Sequence, residues 1–124
     1  MNLLWVFLGG GLGAVTRYGV ALLLPAPSLR EGGFPWGTFG ANLLACILLA
    51  FGLVLMTRGQ LGRPAQLFLL TGFCGGFSTF STFAAEVLEL AHAGQWAVAA
   101  VYLLVSLVTG IVSLLAVLYW LTDY

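Results

Sequence analysis

Four apolar runs, each about as long as a bilayer is thick, leave this chain few folds to adopt. They cover 3–24, 37–56, 65–90 and 96–121. A hydrocarbon core of about 30 Å is crossed by about 20 helical residues rising 1.5 Å each. Barrel strands would be shorter and would alternate apolar with polar, so the runs read as helices. Only 6 % of residues are charged, and none is lysine. A soluble domain carries about a quarter, so this chain could not cover its own surface and the bilayer is its solvent. The expectation is an all-α membrane protein, with residues 1–124 forming one domain of four transmembrane helices. The formal net charge of +0 offers no basic patch for phosphates, which excludes nucleic acid as a partner. The first run has no basic segment before it and is long for a cleaved leader, so it reads as a span.

The connections are short: 25–36, 57–64 and 92–95. Any function therefore lies among the helices. Arg58 and Arg63 share one side of the membrane with the N-terminus, and Arg30 lies on the other. Two arginines against one is a weak positive-inside bias. It permits insertion in both directions, and oppositely inserted copies can pair as an antiparallel homodimer. Four short spans enclose little space, so an oligomer is expected. Cys46 and Cys74 read as small buried apolar residues. They form no CxxC or Cys/His cluster, and His92 sits in a polar turn.

Polar groups inside a membrane are costly and tend to face a partner or a water-filled path. Arg17, in GGGLGAVTRYG, is either an interfacial arginine reaching to headgroups or a fixed positive charge that attracts anions. The glycines before it include Gly9-x-x-x-Gly13, a helix-packing spacing. Asn42, in GTFGANLLA, can bond a neighbouring helix or line an anion path with its N–H donors. The third run carries GFCGGFSTFSTF, from Gly72 to Phe83. Its pair Gly75-Gly76 lies about ten residues, or about 15 Å, into the span, near the midplane. A break is expected there, and broken backbone at that depth must be buried in protein or line a cavity. Ser78, Thr79, Ser81 and Thr82 can bond the helix's own carbonyls one turn back. They can also form a polar row. Phe77, Phe80 and Phe83 recur every third residue, which serves packing, yet phenyl ring edges are positive and suit a small anion. Glu86 and Glu89 are either solvated near the interface or, in a proton-coupled transporter, a working carboxylate. Ser106, Thr109 and Ser113 in the fourth span either extend a polar track or bond to backbone.

These residues together resemble the CrcB/Fluc fluoride channels. The likeness rests on GGGLGAVTRY, Asn42 and GFCGGFSTFSTF, and it extends over the whole chain. The resemblance implies an antiparallel, dual-topology homodimer with two pores in a bacterial plasma (inner) membrane. It implies that Phe80, Phe83 and Asn42 line the fluoride path, with Ser81 and Thr82, and with Ser106 and Thr109 from the fourth span. Arg17 matches the first-span arginine, and Glu86 the acidic residue near one pore end. The backbone carbonyls of Gly75 and Ser78, from both subunits, match positions that hold a structural sodium ion at the dimer centre. Ser78 stands where threonine is usual, and Ala45 where many members have glycine.

The chemistry implied is passive export of fluoride rather than catalysis. A negative-inside potential drives an anion outward by about 2.3 kcal/mol per charge per 100 mV. The competing reading is a small dual-topology, proton-coupled multidrug-type exporter using Glu86. Such an exporter is expected to carry a first-span carboxylate, and here the first span has Arg17 and no acid. A noncatalytic scaffold explains the glycines and the phenylalanine stripe but not the hydroxyl row. The substitution Phe80→Leu separates these readings. Ion flux through reconstituted protein should be lost if ring edges form the path, whereas a scaffold should assemble and work unchanged.

Overall fold

The computed structural model describes residues 1–122. All its regular structure is helical, and no strand occurs among the described residues. Helix α1 spans Asn2–Leu23, α2 Trp36–Thr57 and α5 Trp96–Thr122. The third span falls into two parts. Segment 63–77, here α3, opens as Arg63–Gln66, widens to a π-helical stretch over Leu67–Cys74 and closes with Gly75–Phe77. Helix α4 then runs Phe80–His92. Four helical units, with α3 and α4 counted as one over Arg63–His92, are long and apolar enough to cross a membrane.

Local chemistry sets the ends. Pro25 follows α1, and a residue before proline is pushed out of the helical region. Leu24 is accordingly extended, at φ −112° and ψ 148°. Helices α2 and α4 end alike. Gly59 and Gly94 follow their C-caps with φ of 68° and 77°, backbone that glycine adopts without a Cβ penalty. At α2, Gly59 N–H donates to Met56 and Gln60 N–H to Leu55. At α4, Gly94 N–H donates to Ala91 and Gln95 N–H to Leu90. Both are Schellman motifs, which satisfy the last carbonyls and turn the chain sharply. That is how α5 begins at Trp96, directly after the second turn.

The interruption of the third span does not fall at Gly75-Gly76, where the sequence suggests it. Gly75 is helical, at φ −64° and ψ −37°. Ser78 (φ −79°, ψ 156°) and Thr79 (φ −148°, ψ 117°) are the extended residues. Thr79 is a strong N-cap type, and its side chain accepts from Thr82 N–H at the start of α4. The glycines serve close packing instead. A Cβ on Gly9 would meet the Phe68 carbonyl, and one on Gly13 the Phe73 carbonyl. A Cβ on Gly72 would lie 2.8 Å from the Val6 carbonyl oxygen, and one on Gly76 would meet the Gly10 carbonyl. Two seams, Gly9-x-x-x-Gly13 and Gly72-x-x-x-Gly76, thus let the α1 and α3 backbones approach, as small residues do between membrane helices. Helix α2 packs along α5, and its Ala41 and Ala45 are buried together with Phe77 of α3.

The outer faces are apolar. Phe7, Leu23, Trp96, Leu104, Leu115 and Trp120 are all exposed on the single chain. Exposure on this scale marks lipid-facing or subunit-facing surface.

The seam yields a graded prediction. Gly9→Ala and Gly13→Ala force backbone apart and should each cost about 1–3 kcal/mol of overpacking. Gly11, whose Cβ would meet nothing within 4 Å, is the matched control. Gly11→Ala should leave the unfolding midpoint in detergent unchanged or raised, while the other two lower it.

Candidate functional site

An interrupted helix in a bilayer exposes amides that water cannot reach. Here side chains from two other spans take them. Thr79 N–H donates to Asn42 Oδ1 at 2.7 Å, and Asn42 Nδ2 donates back to the Thr79 carbonyl at 3.2 Å. Arg17 Nε donates to the Gly76 carbonyl at 3.1 Å. Ser78 Oγ donates one turn back to the Cys74 carbonyl at 3.0 Å. The other hydroxyls do not bond back. Thr79 Oγ1 accepts from Thr82 N–H at 3.2 Å, donates to Thr82 Oγ1 at 3.1 Å and lies 3.3 Å from Ser81 Oγ. Three of the four hydroxyls therefore form one cluster that caps α4.

The carbonyls of residues 75–78 lose their i+4 helical donors where α4 begins at Phe80, and Arg17 takes that of Gly76. The i+4 amide of Gly75 is Thr79 N–H, which goes to Asn42. The i+4 amide of Ser78 is Thr82 N–H, which goes to Thr79 Oγ1. Gly75 and Ser78 both line a recess of about 160 Å³. Carbonyl oxygens without a helical donor are hard ligands of the kind that suit a hard cation, so this pair fits the sodium position that the family resemblance implies.

A second cavity, of about 220 Å³, is lined by Asn42, Ser78, Thr79, Phe80, Phe83 and Ser106. The Phe80 and Phe83 ring centroids are 6.1 Å apart, tilted at 48°. Phe83 is buried and Phe80 is 78 % exposed on the single chain, so one ring is fixed by packing and the other stands at the open side. Ser106 Oγ is the one buried side-chain polar atom without a hydrogen-bond partner among the described residues. Such a group needs an explanation, and here it lines the cavity. Asn42 uses one amide hydrogen on Thr79 and keeps its second.

A third cavity, of about 380 Å³, lies on the other side of Thr79 and includes Arg17, Tyr18, Thr38, Thr82 and Glu86. Thr79 lines both cavities. Glu86 is half-buried on the wall of this cavity. Its carboxylate accepts from Thr38 Oγ1 at 2.8 Å and from Tyr102 O–H at 2.7 Å. Tyr102 is fully buried and stacks edge-on against Phe83, with centroids 5.0 Å apart.

Asn42, Phe80, Phe83 and Ser106 are thus brought to one cavity, and Arg17, Thr82 and Glu86 to the next. Ser81 and Thr109 are not among the residues lining either cavity. Ser81 Oγ lies 3.3 Å from Thr79 Oγ1, and Thr109 Oγ1 donates back to the Val105 carbonyl at 2.6 Å. Ser113 likewise bonds back, to Gly110. Glu89 lies apart, in an open recess with Arg30 and His92. Tyr102 and Thr38 are participants that the sequence reading missed. Tyr102 sits four residues before Ser106 on the same helical face, and that spacing was the available signal.

Four apolar spans that enclose cavities lined by polar side chains define a small multi-span membrane protein. Residues 4–118 match the family described as CrcB-like protein, Camphor Resistance (CrcB), and the chain belongs to that family. It is 42 % identical over 116 residues to a protein of Phocaeicola vulgatus named fluoride-specific ion channel FluC, covering 92 % of this chain and 93 % of that one. A protein of the same name from Bacteroides fragilis is 38 % identical over 118 residues, covering 93 % and 91 %. One from Chlorobium phaeobacteroides is 43 % identical over 113 residues, covering 90 % and 86 %. These relatives are named as ion channels, which are not enzymes.

The Asn42 bridge can be tested against Ser106. Asn42→Ala strands an N–H and a C=O, each costing about 1–3 kcal/mol when buried without a partner. Ser106→Ala removes a hydroxyl that has no partner to lose. The first should lower the unfolding midpoint in detergent, and the second should leave it unchanged or raise it.

Proposed function

We propose that this protein is a fluoride-selective ion channel that lets cytoplasmic fluoride leave the cell passively. The observation that carries the proposal is the cavity that joins two phenylalanine rings, a free amide hydrogen of Asn42 and the unpartnered hydroxyl of Ser106. It occurs in a chain that aligns over nine tenths of its length with relatives named fluoride-specific ion channels. Fluoride is small and strongly hydrated, so a path must replace water with several preorganised donors. An amide N–H, a hydroxyl and the positive edges of aromatic rings do this without a full charge in the narrow part. Conduction needs binding strong enough for entry and weak enough for exit.

On this reading Arg17 raises the local anion concentration in the outer cavity. The hydroxyl cluster of Thr79 and Thr82 lies between that cavity and the rings. Glu86 lines the same cavity, and Thr38 and Tyr102 donate hydrogen bonds to its carboxylate. The working unit is an antiparallel, dual-topology homodimer with two pores in the bacterial inner membrane. The apolar outer face of α5 supports assembly or lipid contact, and the weak arginine asymmetry supports insertion both ways. The carbonyls of Gly75 and Ser78 from the two copies would hold the structural sodium ion. Its charge offsets the mutual repulsion of carbonyls brought together at the dimer centre.

Purified protein in liposomes, with potassium and valinomycin clearing charge, provides the test. Rapid fluoride loss with chloride retained is the expected result. Retention of fluoride by liposomes holding assembled protein would overturn the channel reading and turn attention to proton-coupled transport through Glu86.

A further inference from the structure

We propose that Cys46 and Cys74 form a two-thiol site for a thiophilic divalent cation with a filled d shell, and that its occupancy closes the anion path. The two cysteines come from different spans, α2 and α3, and both are free thiols. Both line the recess of about 160 Å³ that also holds Gly75 and Ser78. Cys46 of α2 and Cys74 of α3 thus stand on the wall of one recess. Cys46 faces two ways. It also lines the neighbouring cavity with Asn42, Phe80 and Phe83. An ion held by Cys46 therefore sits on the wall of the anion path.

Charge selects the ion. Each thiol loses its proton to solvent on binding, so a divalent cation and two thiols give a neutral bis-thiolate and two released protons. A monovalent cation would leave a net negative complex, and an uncompensated charge in an apolar interior is costly. Softness selects it further, because sulfur ligands prefer soft metals over hard ones. The bare carbonyls of Gly75 and Ser78 are weak additional donors. A hard monovalent ion prefers those oxygens, so the two kinds of cation use different atoms of one recess.

Mercuric ion, supplied as the nitrate, is the probe. Two readouts on purified full-length protein test the site without reference to transport: mercury bound per chain after desalting, and thiols left to react with a chromogenic disulfide. The expected result is one mercury per chain with both thiols consumed, and loss of the bis-thiolate absorbance in both Cys46→Ser and Cys74→Ser. Two mercury ions per chain, one on each thiol, would overturn the proposal. So would an absorbance that survives Cys74→Ser alone, since that would pair Cys46 with a second copy of itself. The blocking half rests on the channel reading. With each protein compared against its own mercury-free efflux, fluoride efflux should be lost on mercury addition, restored by a dithiol chelator, and resistant in Cys46→Ser at the same dose. Full mercury loading with undiminished efflux would overturn the block. Absent efflux before mercury is added would count against the channel reading alone, leaving the binding result to stand or fall by itself.

Discussion

The reciprocal hydrogen bonds between the Asn42 amide and the Thr79 backbone are the interaction on which the rest of this structure depends. Inside a bilayer every amide must find a partner within the protein. A continuous helix does so by itself, and an interrupted one does not. Asn42 supplies both an acceptor and a donor to one residue, so two extended residues can persist where helix would otherwise close. The consequence is rotational. Each helical residue turns the chain by about 100°, and an extended residue does not. Ser78 and Thr79 therefore set the direction in which Phe80 and Phe83 leave α4, and with it the existence of the cavity they line.

The glycine seam supplies the second support. Arg17 can reach the Gly76 carbonyl only because the α1 and α3 backbones lie in near contact at Gly9, Gly13, Gly72 and Gly76. The same closeness explains why the glycine pair is helical: its absent side chains make room for α1. Arg17 and Glu86 share the third cavity, yet each is anchored on neutral groups, the arginine on a carbonyl and the carboxylate on two hydroxyls. Neither charge is spent on the other.

The four spans were legible because length and apolarity alone decide what crosses a bilayer, and the observed helices lie within a residue or two of the runs read from sequence. The grouping of Asn42 with Phe80 and Phe83 was legible through the family likeness. The position of the interruption was not. Glycine signals both weak backbone and close packing, and which applies is settled by what stands opposite, here α1. Capping by Thr79 was the competing local signal, and it prevailed. The partners of Glu86 were not legible for a similar reason: Thr38 and Tyr102 are 48 and 16 residues away in sequence. Thr109 lies one turn on from Ser106, but its hydroxyl bonds back to Val105, and only Ser106 lines the cavity.

On the proposed reading, the division into two cavities resolves a conflict in anion transport. A full positive charge attracts an anion over distance but holds it too well on contact. Two unit charges interact by about 4 kcal/mol at 4 Å and by under about 2 kcal/mol at 10 Å for an effective dielectric constant of 20. The first figure would slow release by roughly a thousandfold if set in the narrow part, since each 1.4 kcal/mol is about a factor of ten. Placing Arg17 in the outer cavity keeps the attraction, while the inner cavity offers neutral donors of modest strength. Thr79 is the wall common to both. Its backbone is fixed by Asn42 and its hydroxyl by Thr82, so the residue that separates attraction from passage is also the one held at every polar atom.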